Sequence, residues 1–334
     1  MADKTKASGV DFRPHFKTHQ SASIGNWFRD EGIDKITVSS VSMAQYFASH
    51  GWNDITIAFP YNPLEHSEIE ALARKINLNV LIESKEALVH LNNHINADLG
   101  YFIKIDVGTG RTGLSEPQFE QISVLIDGDN ENHHFRGLLV HAGHSYQKVD
   151  LGIARGIYDE SLRVLNHAKS YVGEDVFISY GDTPTCSLLE SFAGVNEIRP
   201  GNFAFYDLMQ HSFGSCDLNE IAVCMACPVV AIHPQRNEAI IYGGAVHFSK
   251  EKLEKSPYPY GMVIPLNERG WEPKAAASLI RVSQEHGIIS GSTEFISSLK
   301  IGTLVGILPV HSCLTANLQR SYLSLDGREV VKYS

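Results

Sequence analysis

The sequence has 334 residues, of which 43% are hydrophobic and 20% are charged, and its formal net charge is −10. An acidic protein of this kind is a poor candidate for nucleic-acid binding, and no stretch approaches the ~18 apolar residues of a membrane span. No signal peptide is visible, and the odd, sparse set of cysteines predicts reduced thiols in the cytoplasm. The five cysteines are Cys186, Cys216, Cys224, Cys227 and Cys313.

The N-terminal residues 1–8 have the pattern of the last turns of a helix, with Gly9 as the C-cap. A helix that starts at the first residue has no capping side chain before it. We therefore expect that an element upstream of this helix is missing from the sequence.

Apolar runs rich in β-branched residues then alternate with amphipathic helical segments. Such alternation indicates a parallel sheet covered by helices, and eight strands are the number of a closed (β/α)8 TIM barrel. The strand candidates are Phe12–Phe16, Ile36–Val38, Ile55–Phe59, Asn79–Ile82, Tyr101–Asp106, Phe135–His141, Val176–Tyr180 and Glu197–Phe205. The helical patterns include Val41–His50, Leu64–Ile76, Lys85–Ile95, Glu116–Ile126 and Leu151–Val172.

After about Asp217 the pattern changes to short strands separated by turn residues, which predicts a β-rich second domain. We therefore expect a (β/α)8 barrel domain over residues 1–216 and a β-rich domain over residues 217–334. The strand candidates here are Ile221–Ile232, Ala239–Tyr242, Gly261–Pro265, Ser278–Val282, Gly287–Ser290, Thr303–Pro309 and Ser321–Leu325.

The run from Phe12 to His19 places one lysine, two histidines and one arginine next to each other. Pro14 prevents a regular helix through this run. A lysine such as Lys17, at the end of a short strand and facing a pocket, is a natural Schiff-base former. The plainer interpretation of an isolated Lys-Thr-His is a basic surface turn.

Three polar or glycine-rich clusters follow later strands, at 108–111, 141–146 and 181–185, and a fourth, 201–202, lies within the eighth. Because the active sites of such barrels lie at the carboxyl ends of the strands, these clusters would share one rim with Lys17.

Each cluster has a possible chemical role. Backbone amides at glycine-rich turns approach a phosphate closely, which predicts an anion cradle after strands seven and eight. An arginine can neutralise a phenolate or carboxylate, and a tyrosine can bind a ring nitrogen. The plainer interpretations are loop glycines, a surface arginine and packed histidines. The candidates for binding are Gly181, Asp182, Thr183, Gly201, Asn202, Arg111 and Tyr146, and the histidines are His141 and His144.

A lysine, an anion cradle, an arginine and an aromatic hydroxyl on one rim describe a site for pyridoxal 5′-phosphate (PLP). The motifs RPHFKTH (residues 13–19), KIDVGTGRTG (104–113) and RPGNFAFYD (199–207) resemble those of the D-threonine aldolase and D-serine dehydratase family. This family belongs to the fold-type III, alanine-racemase-like PLP enzymes. The resemblance extends to His311-Ser312-Cys313. The resemblance implies an N-terminal strand before the barrel, and we expect this strand to be the missing upstream element.

The resemblance implies a divalent metal at His311 and Cys313. The sequence alone favours a buried strand cysteine beside an incidental histidine. A His-x-Cys pair in an extended segment would point both side chains to one face, and imidazole with thiolate suits zinc better than manganese. Cys224 and Cys227 also have metal-like spacing, but they lie in an apolar strand, which predicts core positions.

The implied enzyme is a PLP- and metal-dependent lyase that acts on a small D-β-hydroxy amino acid, such as D-serine or D-threonine, as a homodimer. Lys17 would bind the cofactor and Arg111 and Tyr146 would tune its ring. His19, His141 and His144 are candidate auxiliary bases. The reaction is either dehydration or retro-aldol cleavage, and the thiolate ligand favours dehydration by analogy.

Three alternative functions remain. An amino-acid racemase of the alanine racemase type shares the barrel, the lysine and the β domain but needs a second base and no metal. A non-catalytic PLP-binding protein would resemble the barrel half. A scaffold that has lost activity together with its N-terminal strand would bind no cofactor.

Overall fold

The computed structural model describes residues 1–128, 130–147, 149–272 and 274–333. The chain divides into two compact units, Met1–Gly201 with Tyr333, and Asn202–Lys332. The predicted boundary after residue 216 lies inside the second unit. Residues just before it pack within that unit, where Met209 N donates to Val310 O at 3.2 Å. No helix of the described residues is long and apolar enough to cross a membrane.

The first unit is built on a parallel eight-stranded sheet. The strands are β1 Asp11–Phe12, β2 Lys35–Val38, β3 Asp54–Pro60, β4 Asn77–Ile82, β5 Leu99–Ile105, β6 His133–Val140, β7 Ile178–Tyr180 and β8 Glu197–Ile198. Their order in the sheet is β1-β8-β7-β6-β5-β4-β3-β2. The helices are α1 Ala2–Ser8, α2 Ala22–Asp30, α3 Val41–Ser49, α4 His66–Ala73, α5 Lys85–His94, α6 Glu120–Ile126, α7 Leu151–Lys169 and α8 Thr183–Leu188. Three 3₁₀ helices, at Pro63–Glu65, Glu116–Gln118 and Gly143–Tyr146, complete this unit.

The two outer strands meet through the segment that follows β1. His15 forms a parallel bridge with Thr37 of β2. Phe16 N donates to Thr37 O at 2.8 Å, and Thr37 N donates to Pro14 O at 2.9 Å. These hydrogen bonds close the sheet into a barrel, and the predicted TIM-barrel class is confirmed.

Local sequence explains why the helices begin where they do. Ser40, Ser84 and Asp150 accept hydrogen bonds from the amides three residues later, which caps α3, α5 and α7. At the other end of α1, Gly9 has φ 65°, so the predicted glycine C-cap is confirmed.

The second unit is built on an antiparallel sheet. The strands are β9 Met225–His233, β10 Glu238–Tyr242, β11 Gly261–Asn267, β12 Gly270–Trp271, β13 Ala277–Val282, β14 His286–Gly291 and β15 Leu304–Pro309, followed by a hairpin of β16 Ser321–Leu323 and β17 Glu329–Val331. The sheet order is β12-β11-β13-β14-β10-β9-β15, and β15 also pairs with β11. All of these sheet strands except β12 therefore form a closed ring around an apolar core that includes Cys227, Val229 and Ile307. The helices are α9 Leu208–Ser212, α10 Ala245–Phe248, α11 Thr293–Ser298 and α12 Ser312–Leu318, with 3₁₀ helices at Asn202–Ala204, Leu218–Glu220 and Pro234–Arg236.

The predicted eighth strand, Glu197–Phe205, is wrong beyond Ile198. Pro200 cannot donate a backbone hydrogen bond, and residues 202–204 form a 3₁₀ helix. Gly201 and Asn202 therefore lie after β8, not within it.

An ion-pair network joins the residue that follows β1 to strands β3 and β8. Arg13 donates to Glu197 at 2.7 Å and to Asp54 at 2.5 Å, and the side chains of Arg13 and Glu197 are only 7% and 1% exposed. Ser179 of β7 also donates to Glu197, at 2.6 Å. The arginine of the RPHFKTH motif therefore holds the barrel strands together.

We expect the substitution Arg13→Met to lower the free energy of unfolding of the first unit by ~3–5 kcal/mol, because it leaves Glu197 buried without its cation. Urea unfolding followed by fluorescence of Trp27 and Trp52, which lie in this unit, measures the loss. The control is Lys35→Met, which breaks the exposed pair with Asp11 and should cost less than ~1 kcal/mol. Equal losses in the two variants would contradict the interpretation.

Candidate active site

Lys17 lies in a turn over residues 16–19 that follows the bridge closing the barrel, and its side chain is exposed. The turn is held at both sides. Lys17 N donates to His15 Nδ1 at 3.4 Å, and Gln20 Nε2 donates to Lys17 O at 3.0 Å. Gln20 has φ 53°, and its carbonyl accepts from Tyr333 N at 2.6 Å. The predicted lysine is thus an accessible amine on a fixed turn.

His15 and His141 are neutral neighbours of this lysine. Burial, followed by the charge of Lys17, lowers the pKa of both imidazoles well below the usual value, and Arg199 adds to the effect at each. Lys17, Arg199 and the two imidazoles therefore form one cluster at the carboxyl ends of the barrel strands. Of these four residues, the sequence singled out Lys17 and His141.

The hydrogen bond of His141 fixes its tautomer. Its Nδ1 lies 2.7 Å from the carbonyl oxygen of Gly181, which can only accept. Nδ1 therefore carries the proton, and Nε2 is left as an acceptor. The loop after β5 supports this arrangement, because Thr109 Oγ1 donates to His141 O at 2.9 Å and accepts from Gly143 N at 2.9 Å.

Lys104 is a second lysine of the barrel, buried at 5% exposure within β5. Burial, with a further contribution from Arg199, lowers its pKa to about 7, and Arg111 acts in the same direction. Its Nζ donates to Ile105 O at 2.8 Å. Lys104 is therefore close to equal populations of its charged and neutral forms at neutral pH.

Tyr146, Asp182 and Thr183 connect the loops after β6 and β7. Thr183 N donates to the hydroxyl of Tyr146 at 3.3 Å. The carboxylate of Asp182 is buried and accepts from Ser145 Oγ at 3.0 Å and from Tyr180 at 2.9 Å. It also caps α8 through Thr185 N at 2.6 Å. The buried carboxylate of Asp182 therefore holds the loops after β6 and β7 together through hydrogen bonds, whereas the sequence predicted that it belongs to an anion-binding site.

The two predicted cradle glycines have a packing reason for being glycine. A Cβ on Gly181 would lie 3.0 Å from Arg199 Cβ, and one on Gly201 would lie 2.8 Å from His15 O. The amide of Gly201 donates to Thr183 Oγ1 at 3.2 Å. Close approach of the segments that follow β1, β7 and β8 therefore accounts for both glycines before any ligand is considered.

The remaining candidates of the first unit lie in different surroundings. Arg111 is exposed in the loop after β5, and its charge acts on Lys104. His144 packs over Gly108, where a Cβ would lie 3.5 Å from the ring.

His19 is fully buried against Phe16 and Phe28, with ring centroids 4.4 and 5.6 Å away, and burial lowers its pKa to about 3. This apolar packing does not bring His19 together with His15 and His141.

In the second unit, Asn202 and Cys313 lie side by side, with Asn202 Nδ2 3.4 Å from the sulfur. Asp207 is fully buried next to them and accepts from Asn202 Nδ2 at 2.7 Å and from Ser312 N at 2.9 Å. The RPGNFAFYD motif therefore supports the His-Ser-Cys segment.

The predicted extended His-x-Cys segment is wrong in its local geometry. His311 has extended backbone angles, but Cys313 lies in the first turn of α12, because Ser312 is drawn to Asp207. The two side chains nevertheless interact. A hydrogen bond and the charge of Cys313 raise the pKa of His311 against the opposing effect of burial.

These residues fit a metal ion in part. His311 Nδ1 is buried and has no hydrogen-bond partner among the described residues, and a thiol stands beside the ring. In the described ranges, no group of three or more His, Cys, Asp or Glu side chains could hold a metal. Within the described residues, His311 and Cys313 are therefore a pair of candidate ligands, and two protein ligands would leave coordination positions for water or substrate.

The first unit also fits an anionic aldehyde cofactor. Lys17 supplies an accessible amine, and the charges of Lys17, Lys104, Arg111 and Arg199 act on shared neighbours at one rim. Such a field favours a phosphate-bearing ligand. The sequence pattern did not single out His15, Lys104 or Arg199. Lys104 carried a usable signal, because it is a charged residue inside the otherwise apolar β5, whereas His15 and Arg199 follow β1 and β8.

Comparisons with known proteins agree with this architecture. The family described as alanine racemase, N-terminal domain, matches residues 2–208, and the putative serine dehydratase domain family matches residues 222–325. The D-serine dehydratase of Dictyostelium discoideum is 30% identical over 361 residues, which cover 96% of this chain and 88% of the relative. The D-threo-3-hydroxyaspartate dehydratase of Delftia sp. (strain HT23) is 27% identical over 98% of this chain and 90% of its own length.

A solved structure of D-threo-3-hydroxyaspartate dehydratase, a cysteine-to-alanine variant in the metal-free form, matches with a TM-score of 0.89 at 25% identity. The match covers 99% of this chain and 92% of that chain. The fold is therefore that of alanine-racemase-like proteins. The chain belongs to the D-serine dehydratase and D-threonine aldolase family, as its motifs predicted, and the enzyme is a lyase.

We expect Lys104 to make stability depend on pH. Its pKa is about 7 in the folded protein and 10.5 as the unperturbed value, so between these limits the unfolded chain binds the extra proton. The free energy of unfolding should therefore rise from about pH 7 towards pH 10, with a slope of up to ~1.4 kcal/mol per pH unit from this group. Below pH 7 Lys104 is protonated in both states, so it adds no pH dependence to the free energy of unfolding.

The measurement is urea unfolding at several pH values for the wild type and for Lys104→Met. The difference between the two should grow with pH, in favour of the wild type. Lys75→Met, at an exposed lysine of the same unit, is the control and should run parallel to the wild type. Parallel curves for Lys104→Met would refute the assignment.

Proposed function

We propose that the protein is a PLP- and divalent-metal-dependent dehydratase of small D-β-hydroxy amino acids, with D-serine and D-threonine as substrates. The observation that carries the proposal is Lys17, an exposed amine on a fixed turn beside two neutral imidazoles and a buried guanidinium. Membership of a family that includes D-serine dehydratases supports the reaction class. Zinc is the proposed ion, because the ligand pair joins an imidazole and a thiolate.

Lys17 has two tasks in this proposal. Its Nζ would hold the cofactor at the rim, and as a free amine it would take the α-proton of the bound substrate. The neighbouring imidazoles favour both tasks, because buried neutral rings add no competing positive charge next to the amine. His141 keeps its proton on Nδ1, so its Nε2 has the lone pair needed to accept a hydrogen bond from a ligand.

The other predicted residues orient and bind. Tyr146, Thr183 and Gly201, with Gly181 and Asp182 behind them, are proposed to surround the cofactor phosphate and ring. Arg111 is the accessible cation for its phenolate or for the substrate carboxylate. When bound, PLP supplies an electron sink for the α-carbon and the metal supplies a Lewis acid for the leaving hydroxyl.

His311 and Cys313 are the proposed metal ligands, and Asn202 donates towards the sulfur. A cysteine-to-alanine variant of the hydroxyaspartate dehydratase has been solved in a metal-free form, which supports metal binding within this family. The overall reaction releases water from the α- and β-carbons, and hydrolysis of the resulting enamine gives the keto acid and ammonia. We further propose that the protein acts in the cytoplasm as a homodimer.

We expect borohydride reduction of the PLP-loaded protein to attach the cofactor to Lys17, as located by peptide mass mapping. Lys17→Ala should lose the labelled peptide and at least ~10²-fold of the activity, because no other group takes both roles. Lys75→Ala, at an exposed lysine of the same unit, should behave as the wild type. Labelling that persists at another lysine in Lys17→Ala would overturn the cofactor assignment.

The products separate the two lyase reactions. With zinc present, we expect D-serine to give pyruvate and D-threonine to give 2-oxobutyrate, each with one ammonia, while L-serine is inert. Glycine and acetaldehyde from D-threonine would show a retro-aldol enzyme instead. Exchange of the α-proton with formation of L-serine, without keto acid, would identify the racemase alternative.

A further inference from the structure

Asp207 stands at the centre of the hydrogen bonds around the His311–Cys313 segment. It is fully buried, and both of its carboxylate oxygens accept hydrogen bonds. Its Oδ2 accepts from Asn202 Nδ2 at 2.7 Å, from Ser312 N at 2.9 Å and from Ser312 Oγ at 3.3 Å. Its Oδ1 accepts from Gln210 N at 2.9 Å. Sequence reasoning assigned no role to this residue.

The donors show what the carboxylate fixes. Ser312 lies between His311 and Cys313, so its backbone amide sets the direction of the peptide that separates the two side chains. Asn202 donates to Asp207 and also lies 3.4 Å from Cys313 Sγ. One carboxylate therefore controls both the backbone between the candidate ligands and the amide beside the sulfur.

We propose that Asp207 is a positioning residue that holds His311 and Cys313 in the geometry required to bind a divalent metal ion. This inference rests on the proposed metal site. Asp207 does not touch the ion. It acts through Ser312 and Asn202, in the way that partners of metal ligands generally tune affinity by fixing ligand orientation.

Asparagine cannot replace Asp207 in this role. A carboxamide has one acceptor oxygen and one NH₂ group, whereas donors point at both oxygens of the carboxylate. In either orientation the NH₂ group would face a donor. Asp207→Asn therefore keeps the size of the side chain but releases either the ligand segment or the first turn of α9.

The test is zinc affinity, measured on the PLP-loaded protein by competition with a chromophoric chelator. We expect the wild type to bind one zinc per chain, Cys313→Ala to lose it, and Asp207→Asn to bind ~10–100-fold more weakly. The control is Asp217→Asn, at an exposed aspartate of the same unit, which should match the wild type. The melting temperature of the metal-free variants measures folding separately.

The absorption spectrum of the cobalt-loaded protein supplies a readout that general destabilisation would not move. Asp207→Asn should shift the cobalt–thiolate bands, because the ligand geometry changes. If Asp207→Asn does not fold, Asn202→Ala serves in its place, since it removes the amide between Asp207 and the sulfur and should shift the same bands and weaken zinc binding.

The outcomes separate the two levels of the proposal. If Cys313→Ala loses zinc while Asp207→Asn, or Asn202→Ala in its place, keeps wild-type affinity and spectrum, the positioning role is wrong and the metal site stands. If His311→Ala and Cys313→Ala both bind zinc as the wild type does, the metal part of the proposed function fails.

Discussion

The pairing of His15 with Thr37 is the constraint on which the first unit depends. It joins the segment after β1 to β2, and without it the eight parallel strands would form an open sheet. The turn that carries Lys17 begins at the next residue, so the pairing that closes the barrel also fixes the position of the Lys17 amine. Arg13 strengthens the closure from a nearby position by holding Asp54 and Glu197.

Both units bury polar groups beside their candidate site residues, but they stabilise those groups in different ways. In the first, the lysine turn is surrounded by buried groups that burial and mutual repulsion keep neutral or weakly basic, as at His15, His141 and Lys104. In the second, a single buried carboxylate gathers N–H and O–H donors around the His-Ser-Cys segment. In the first unit the buried imidazoles lose their charge, and in the second unit the buried carboxylate of Asp207 is stabilised by hydrogen bonds.

Much of the fold was predictable because apolar strands and capped helices are local patterns. Strands β2 to β7 and most strands of the second unit were located within a few residues. The candidates for β1 and β8 extended too far, to Phe16 and Phe205, and β12 and β17 had no predicted counterpart. The sites were less predictable. Asp207 accepts a hydrogen bond from Ser312, which is 105 positions away in the sequence, and no local pattern predicts such a long-range pair. His19 looked reactive beside Lys17, but the fold turns it into the aromatic core.

Gly181 and Gly201 bear on how relatives of this enzyme are interpreted. A Cβ on Gly201 is excluded, because it would lie 2.8 Å from His15 O, and a Cβ on Gly181 would crowd Arg199 Cβ at 3.0 Å, whatever ligand is bound. A homologue that has lost its chemistry would still favour glycine at both positions. Their presence in a related sequence therefore indicates the barrel, and retention of catalysis has to be judged from the proposed cofactor lysine on the turn and the proposed metal ligands of the second unit.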